Sequence, residues 1–368
     1  MNSPFELIDE WGPYKVIYIN RPSVNLKAIV VVDNVACGAA IGGTRMAPDV
    51  SVEECARLAR AMTLKNAAAG LPHGGAKAVI FADPKMPQNN KEKLIRAFAS
   101  SIEEVTDYIP GPDMGTNEQA MAWIYDEIGR AIGLPREIGG IPLDEIGATG
   151  FGVAIATEVA QNFCNVKIEG ARLAVQGFGA VGIHAARFLT KKGAVLVGVA
   201  DSKGTIWNAD GIDVEELARI KRKGNSATSL ESGEKLGRDD IVGIDCDIWI
   251  PAARPDVLNN KNLGNLKAKL VVQGANIPVT AEAEQMMHER GILCVPDFIA
   301  NAGGVISGSV EYHGGGERMA LNVINEKIRR NTHVILSAAK KDNISPRQAA
   351  EKLSLKRVRT AMDLRRWM

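Results

Sequence analysis

The chain has 368 residues, 46% hydrophobic and 24% charged, with 44 Lys and Arg against 43 Asp and Glu. A net charge of +1 gives no overall pull toward nucleic acid or an anionic membrane, and no apolar run reaches the ~18 residues of a membrane helix. The first twenty residues show no signal-peptide pattern. Five scattered cysteines (Cys37, Cys55, Cys164, Cys246, Cys294) with no C-x-x-C pair argue against a disulfide scaffold or a cysteine zinc site and for a reducing cytoplasm.

In chain order, two strand-like runs come first, 14–19 and 27–33. A helix is predicted from Val52 to about Ala69, with Ser51 as its cap and Glu54 answering three residues later as in a capping box. Cys55, Leu58, Ala59 and Met62 recur at helical spacing, so one face is buried. Lys65 continues that face, where a lysine either snorkels to solvent or meets an anion. A glycine-rich turn, LPHGGAK, leads into a short strand, AVIF. A helix over about 91–105 precedes the loop DYIPGPDMGT, and Asn117 caps a helix carrying Met121, Ile124, Tyr125 and Ile128. Residues 132–149 are rich in Gly and Pro without a period, which predicts a hinge. Beyond it, strand-like runs at 172–176, 194–200, 247–250, 270–273 and 293–295 alternate with helical stretches, the pattern of a parallel sheet covered by helices. From Arg318 onward the pattern is helical. The segment 340–368 holds nine Lys or Arg against three Asp or Glu, but interleaved Leu, Val and Ala favour a packed helix over a nucleic-acid tail.

The run ARLAVQGFGAVGIHAARFL reads as strand, then Gly177-x-Gly179-x-x-Gly182, then helix. In that context the glycines allow a tight turn, a close approach to a pyrophosphate and close helix–strand packing, while the helix N-terminus attracts the phosphates. Phe178, Ala180 and Val181 complete the turn. Asp201 follows the next strand and could hold the ribose hydroxyls of NAD. Ser202 and Lys203 follow at once and could accept the 2′-phosphate of NADP, so the choice between the two stays open.

Lys65, Lys77 and Asp113 are the charged groups of the first half that suit chemistry. Singly, each also reads as a solvated lysine or a turn aspartate. Together they suit amino acid oxidation: one lysine pairs with a carboxylate, and a second, with its pKa lowered by desolvation and a neighbouring cation, acts as a base. The aspartate then moves protons to and from nitrogen. No His set has metal-ligand spacing, so no metal is expected, and His73 is read as a loop residue.

The blocks Gly42-Gly43-Thr44-Arg45-Met46, AMTLKNAAAGLPHGGAKAVI, PGPDMGT, ATGFGV, QGFGAVG, QGAN and PDFIANAGGV, in this order over about residues 30–312, resemble the glutamate/leucine/phenylalanine/valine dehydrogenase family. The resemblance implies an α/β fold of two domains around a cleft. An N-terminal substrate and oligomerisation domain would span 1–140, joined by C-terminal helices at about 335–368, and a Rossmann-type NAD(P) domain 145–334. Closure about the hinge would exclude water. It implies that Lys65 binds the substrate α-carboxylate, that Lys77 activates water and stabilises the carbinolamine, and that Asp113 transfers protons. It places Gly43 against the substrate carboxylate, Thr149 near the nicotinamide amide, and Asn276 and Asn301 along the nicotinamide and substrate site.

The implied reaction is reversible oxidative deamination, in which hydride passes from the substrate Cα to the nicotinamide of NAD or NADP. Water then converts the imino acid to a 2-oxo acid and ammonia. A homo-oligomer, hexamer or octamer, is expected, with no nucleic acid or membrane partner. Glutamate-specific members resemble one another in carrying a lysine before the Gly-Gly and a serine three residues after the valine of AGGV. This chain has Ile41 and Gly308 there, and with Met62 and Val305 these suggest an apolar substrate of the leucine, valine or phenylalanine type. Glutamate is the alternative, since PGPDMGT and ATGFGV look like the glutamate branch. An inactive nucleotide-binding regulator is the alternative of another class; the retained lysines, aspartate and asparagines argue against it.

Overall fold

The computed structural model describes residues 5–366. The ends of the segments read above as non-signal and as a basic C-terminal stretch lie outside them. The chain forms two compact units, one of residues 1–142, 305–320 and 353–368, the other of 143–304 and 321–352. Residues 335–352 therefore fall in the second unit, and the expected C-terminal contribution to the first is shorter and joined by 305–320.

In the first unit, strands β1 (Lys15–Arg21), β2 (Leu26–Asn34) and β3 (Ala40–Met46) precede helix α1 (Val52–Ala68). Then follow β4 (Gly75–Ile80), α2 (Gln88–Ser101), β5 (Tyr108–Pro112) and α3 (Glu118–Ile128). The strands order as β1-β2-β4-β3-β5, antiparallel across β1, β2 and β4 and parallel across β4, β3 and β5. Successive residues of β2 serve opposite faces, as pleating requires. Val30 and Val32 pack with Ile95 and Phe98 of α2 and Met121 of α3; Ile29 and Val31 pack with Cys55 and Ala59 of α1.

Neither β3 nor β5 was expected. The pattern of β3 is hidden by two glycines, and Gly42 is there because a Cβ would stand 1.8 Å from the Ala76 carbonyl oxygen. The pattern of β5 is hidden by two prolines, which its edge position tolerates. Ser51 Oγ accepts the Glu54 N–H at 3.1 Å, but the Glu54 carboxylate accepts from Arg45 at 3.1 Å, so the expected reciprocal capping box is replaced by a tie between helix and strand. Asn117 caps α3 through the Ala120 N–H at 3.0 Å.

The second unit opens with α4 (Ala148–Ala160), apolar nearly all round and buried along most of its length, which is why no amphipathic period marked it. Strands β6 (Arg172–Gln176), β7 (Val195–Ala200), β8 (Thr205–Trp207), β9 (Glu234–Leu236), β10 (Ile248–Pro251), β11 (Leu270–Val272) and β12 (Leu293–Val295) form a sheet ordered β12-β11-β10-β6-β7-β8-β9. The first five in that order are parallel; β8 and β9 add an antiparallel edge, each too short for its alternation to show in the sequence. Helices α5 (Ala180–Thr190), α6 (Val214–Arg222), α7 (Ala281–Glu289) and α8 (Asp297–Ala300) lie between strands or follow them. The C-terminal helices are α9 (Gly303–Tyr312), α10 (Glu317–Asp342) and α11 (Pro346–Asp363). The end of α11 packs as expected of an amphipathic helix, Val358 and Met362 lying with Ala36 and Ala67. No helix of the described residues is long and apolar enough to cross a membrane, and none of their His, Cys, Asp and Glu side chains form a group suited to a metal.

Candidate active site

In the first unit, three adjacent parallel strands bring the chemistry together. The register pairs Ile41 with Gly75 and Thr44 with Ala78 across β3 and β4, and Gly43 with Gly111 across β3 and β5. Lys77 on β4 and Asp113, just past β5, therefore flank Gly43. Lys77 is 6% exposed, and its Nζ lies 2.6 Å from Asp113 Oδ2. A Cβ on Gly43 would stand 2.8 Å from the Asp113 Cβ and 3.2 Å from Lys77 Nζ, so this glycine leaves room for the pair. Arg45, two residues on and hence on the same face of β3, donates to Asp113 Oδ2 at 2.9 Å. It was named in the motif but given no role, although its spacing from Gly43 was the available signal.

The turn that carries Asp113 is fixed by Thr116, whose Oγ1 accepts the Asp113 N–H at 3.0 Å and donates to the Thr44 carbonyl at 2.8 Å. Burial alone would raise the Asp113 pKa, but Lys77 and Arg45 together outweigh it and hold the carboxyl below its ordinary value. Lys65 stands half-buried in the last turn of α1, with Met62 half-buried one turn before it. The end of that helix is held by Arg357, which donates to the Ala67 and Ala68 carbonyls at 2.7 Å each.

Ile41 is buried against Ile109 and Ile132. Ile132 also fills the space at Gly308, where a Cβ would lie 2.5 Å from its Cδ1. Val305 is half-buried one turn earlier on α9. Sequence reasoning missed Ile132, which lies in the segment read as a hinge. Glu311 on α9 pins that segment by accepting the Leu134 and Ile141 N–H groups at 3.0 and 2.8 Å. His73 is buried with its Nδ1 3.0 Å from the Ala39 carbonyl oxygen, in a loop as expected.

In the second unit, the turn after β6 has the shape of a pyrophosphate cradle. Gly177 has φ +92°, and a Cβ there would meet Ala252 and Ala253 after β10 at 2.7–2.8 Å. A Cβ on Gly182 would lie 1.9 Å from the Gly177 carbonyl oxygen, whereas Gly179 faces open space. This is the point where strand order reverses, with β7 on one side of β6 and β10 on the other, the place where doubly wound sheets take nucleotides. Phe178 is buried and lends the turn its backbone; Ala180 and Val181 begin α5. Gly274 after β11 abuts Val181, its notional Cβ 3.1 Å from Val181 Cγ1, so the turn bearing Asn276 adjoins the cradle. Asn276 is exposed, and Asn301 Nδ2 donates to its Oδ1 at 3.0 Å. Asn301 Oδ1 is buried without a partner among the described residues, an acceptor left for a bound group. Thr149 Oγ1 lies 3.3 Å from the notional Cβ of Gly304.

Asp201 is held by donors of its own unit. Its carboxylate is already engaged by Lys221 Nζ (2.7 Å), Ser226 Oγ (2.9 Å) and the N–H groups of Lys203 (2.9 Å) and Ala227 (2.7 Å). Burial opposes ionisation, but these donors prevail and bring its pKa down to about 2. Three of these four donors arrive 20–26 residues later in the chain, which is why the sequence did not show them. Ser202 and Lys203 remain exposed beside Asp201.

A doubly wound fold of the nucleotide-binding type, joined in one chain to a Lys–Asp pair whose lysine is buried, suits a dinucleotide-dependent oxidoreductase. The family models for Glutamate/Leucine/Phenylalanine/Valine dehydrogenase and for the Glu/Leu/Phe/Val dehydrogenase dimerisation domain match residues 139–366 and 17–130. The chain belongs to this family and is an amino acid dehydrogenase that uses NAD or NADP. It is 40% identical to the NADP-specific glutamate dehydrogenase of Saccharolobus shibatae over 76% of this chain and 69% of that one. It is 35% identical to the NAD-specific glutamate dehydrogenase of Staphylococcus aureus over 91% of this chain and 85% of that one. The hetero-hexameric glutamate dehydrogenase of Thermus thermophilus in its Leu-bound form superposes with a TM-score of 0.85 at 28% identity, over 97% of this chain and 91% of that one.

Proposed function

We propose that the protein catalyses the reversible oxidative deamination of an L-amino acid to a 2-oxo acid and ammonia, at the expense of NAD or NADP and one water. The observation that carries this is the pair of buried Lys77 and half-buried Asp113, 2.6 Å apart beside Gly43. When bound, the dinucleotide accepts the hydride; Gly177, Gly179, Gly182 and the start of α5 would hold its pyrophosphate, with Thr149, Asn276 and Asn301 toward its nicotinamide. Lys65 takes the substrate carboxylate. Lys77 holds and activates the water that adds to the imine, and its charge stabilises the oxygen that develops there. Asp113, kept ionised by Lys77 and Arg45, takes a proton from the substrate ammonium and returns one to the departing nitrogen. Asp201 is neutralised by Lys221, which removes the bare negative charge that would repel a 2′-phosphate and supports the use of NADP as well as NAD.

Among amino acids, glutamate is the better supported substrate, because the relatives bear that name. They give no support to the apolar preference inferred from Ile41 and Gly308. One observation keeps an apolar substrate as the second reading: Ile132 occupies the space at Gly308 and packs with Ile41 and Ile109, so the groups that meet there are apolar. An unpaired carboxylate in such surroundings costs several kcal/mol. We further take the enzyme to be a cytoplasmic homo-oligomer, in keeping with its dimerisation-domain match and five free cysteines. Initial rates of NADH and NADPH formation with L-glutamate, L-leucine, L-valine and L-phenylalanine test the assignment. Fast glutamate oxidation supports the first reading, fast oxidation of an apolar amino acid supports the second, and turnover of none overturns both.

A further inference from the structure

The turn that bears Asn276 is not part of a regular element, and its next residue, Ile277, has φ +48°. A β-branched residue adopts that conformation only where its surroundings impose it. The Ile277 carbonyl accepts the Asp256 N–H at 2.9 Å, and the side-chain contacts that hold it converge on one guanidinium. The Ile277 N–H donates to Asp297 Oδ2 at 2.8 Å, and Asp297 Oδ1 accepts from Arg347 Nη2 at 2.8 Å. The same guanidinium grips Glu284, through Nε at 2.5 Å and Nη2 at 2.8 Å. Glu284 in turn accepts from Gln273 Nε2, and Gln273 opens the turn. Both ends of residues 273–277 are thus tied to Arg347, which arrives from α11, more than 60 residues away in sequence from Glu284.

Glu284 and Asp297 are each 5% exposed. A buried ion cluster adds little stability over well-packed apolar groups, and its best-attested use is to specify one arrangement. The arrangement specified here contains the Asn276–Asn301 hydrogen bond and the unpartnered Asn301 Oδ1. We propose that Arg347 and Asp297 are positioning residues that hold the 273–277 turn so that Asn276 and Asn301 receive the nicotinamide end of the dinucleotide. The proposal rests on the dehydrogenase reading above.

The test compares affinities for the whole dinucleotide and for its adenosine half. Arg347→Lys keeps the charge, so neither carboxylate is left unpaired, but a single ammonium cannot reproduce the planar grip on both acids. Asp297→Asn is the second variant, because its amide serves only one of its two partners correctly. Binding of NADH or NADPH, whichever the wild type takes, is measured by fluorescence titration. Binding of ADP-ribose or its 2′-phosphate is measured by calorimetry, and thermal melting is recorded alongside. The expected result is an affinity for the reduced dinucleotide about tenfold weaker, the effect of one lost charged hydrogen bond, with a fall in kcat and an unchanged affinity for the ADP-ribose. Equal loss of both affinities with a lower melting temperature would show a merely structural role and overturn the proposal. So would no change in either. A wild type that binds neither ligand would instead overturn the dehydrogenase reading itself.

Discussion

Asp113 illustrates how neighbours overrule burial at a single residue. Its carboxyl lies between Lys77 and Arg45, and their charges keep it ionised where desolvation alone would favour the acid. Replacing Arg45 with Met removes one of the two cations, so the Asp113 pKa rises and the carboxylate is lost at a higher pH. The acid limb of the kcat/KM profile is expected to move upward by about one unit, as a pH series on the Arg45→Met variant would record. Asp201 carries the opposite consequence, for stability instead of turnover. Its folded pKa of about 2 lies below the ordinary 3.8, so its contribution is complete above about pH 4 and is lost as pH falls toward 2. Melting curves of Asp201→Asn should therefore lie below wild type at neutral pH, with the difference shrinking across that acid range. Lys77 and Asp113, which the structure pairs, are singled out in the sequence by residue type and motif. The capture of Asp201 is not legible there, because its donors Lys221, Ser226 and Ala227 are brought to it only by folding.

Elements with a clean period could be read from the sequence, and those with mixed demands could not. Helix α1 showed its cap and its buried stripe, whereas β3 was masked by the glycines that close packing requires and β5 by the prolines that an edge position tolerates. The end of α1 depends on a side chain from the far end of the chain: Arg357 satisfies the Ala67 and Ala68 carbonyls. Arg357→Ala takes a donor from both, although Ala67 keeps the Gly70 N–H at 2.9 Å, and should cost about 1–3 kcal/mol, measured by chemical denaturation. The turn after β6 is equally intolerant. A methyl on Gly182 would stand 1.9 Å from the Gly177 carbonyl oxygen, so Gly182→Ala must shift the backbone of the cradle. It is expected to weaken dinucleotide binding by at least about tenfold, readable by NADH fluorescence.

At the scale of the whole molecule, alternation of strand and helix disclosed the Rossmann-type unit, and the ordered motifs disclosed the family. The division of the C-terminal helices, with 321–352 in one unit and 353–368 in the other, has no sequence signal because α11 is continuous across it. Ile132 was equally hidden: only the fold shows that it occupies the space at Gly308. The account stands on Lys77 as the group that activates water at a site built by β3, β4 and β5. The most direct test is ammonia-dependent oxidation of NADH or NADPH by wild type and Lys77→Ala, with the 2-oxo acid of whichever amino acid the wild type turns over. Turnover should fall by at least about a thousandfold, within the range of a lost acid–base group, while affinity for the reduced dinucleotide stays within about twofold. A variant that retains wild-type turnover would contradict the account.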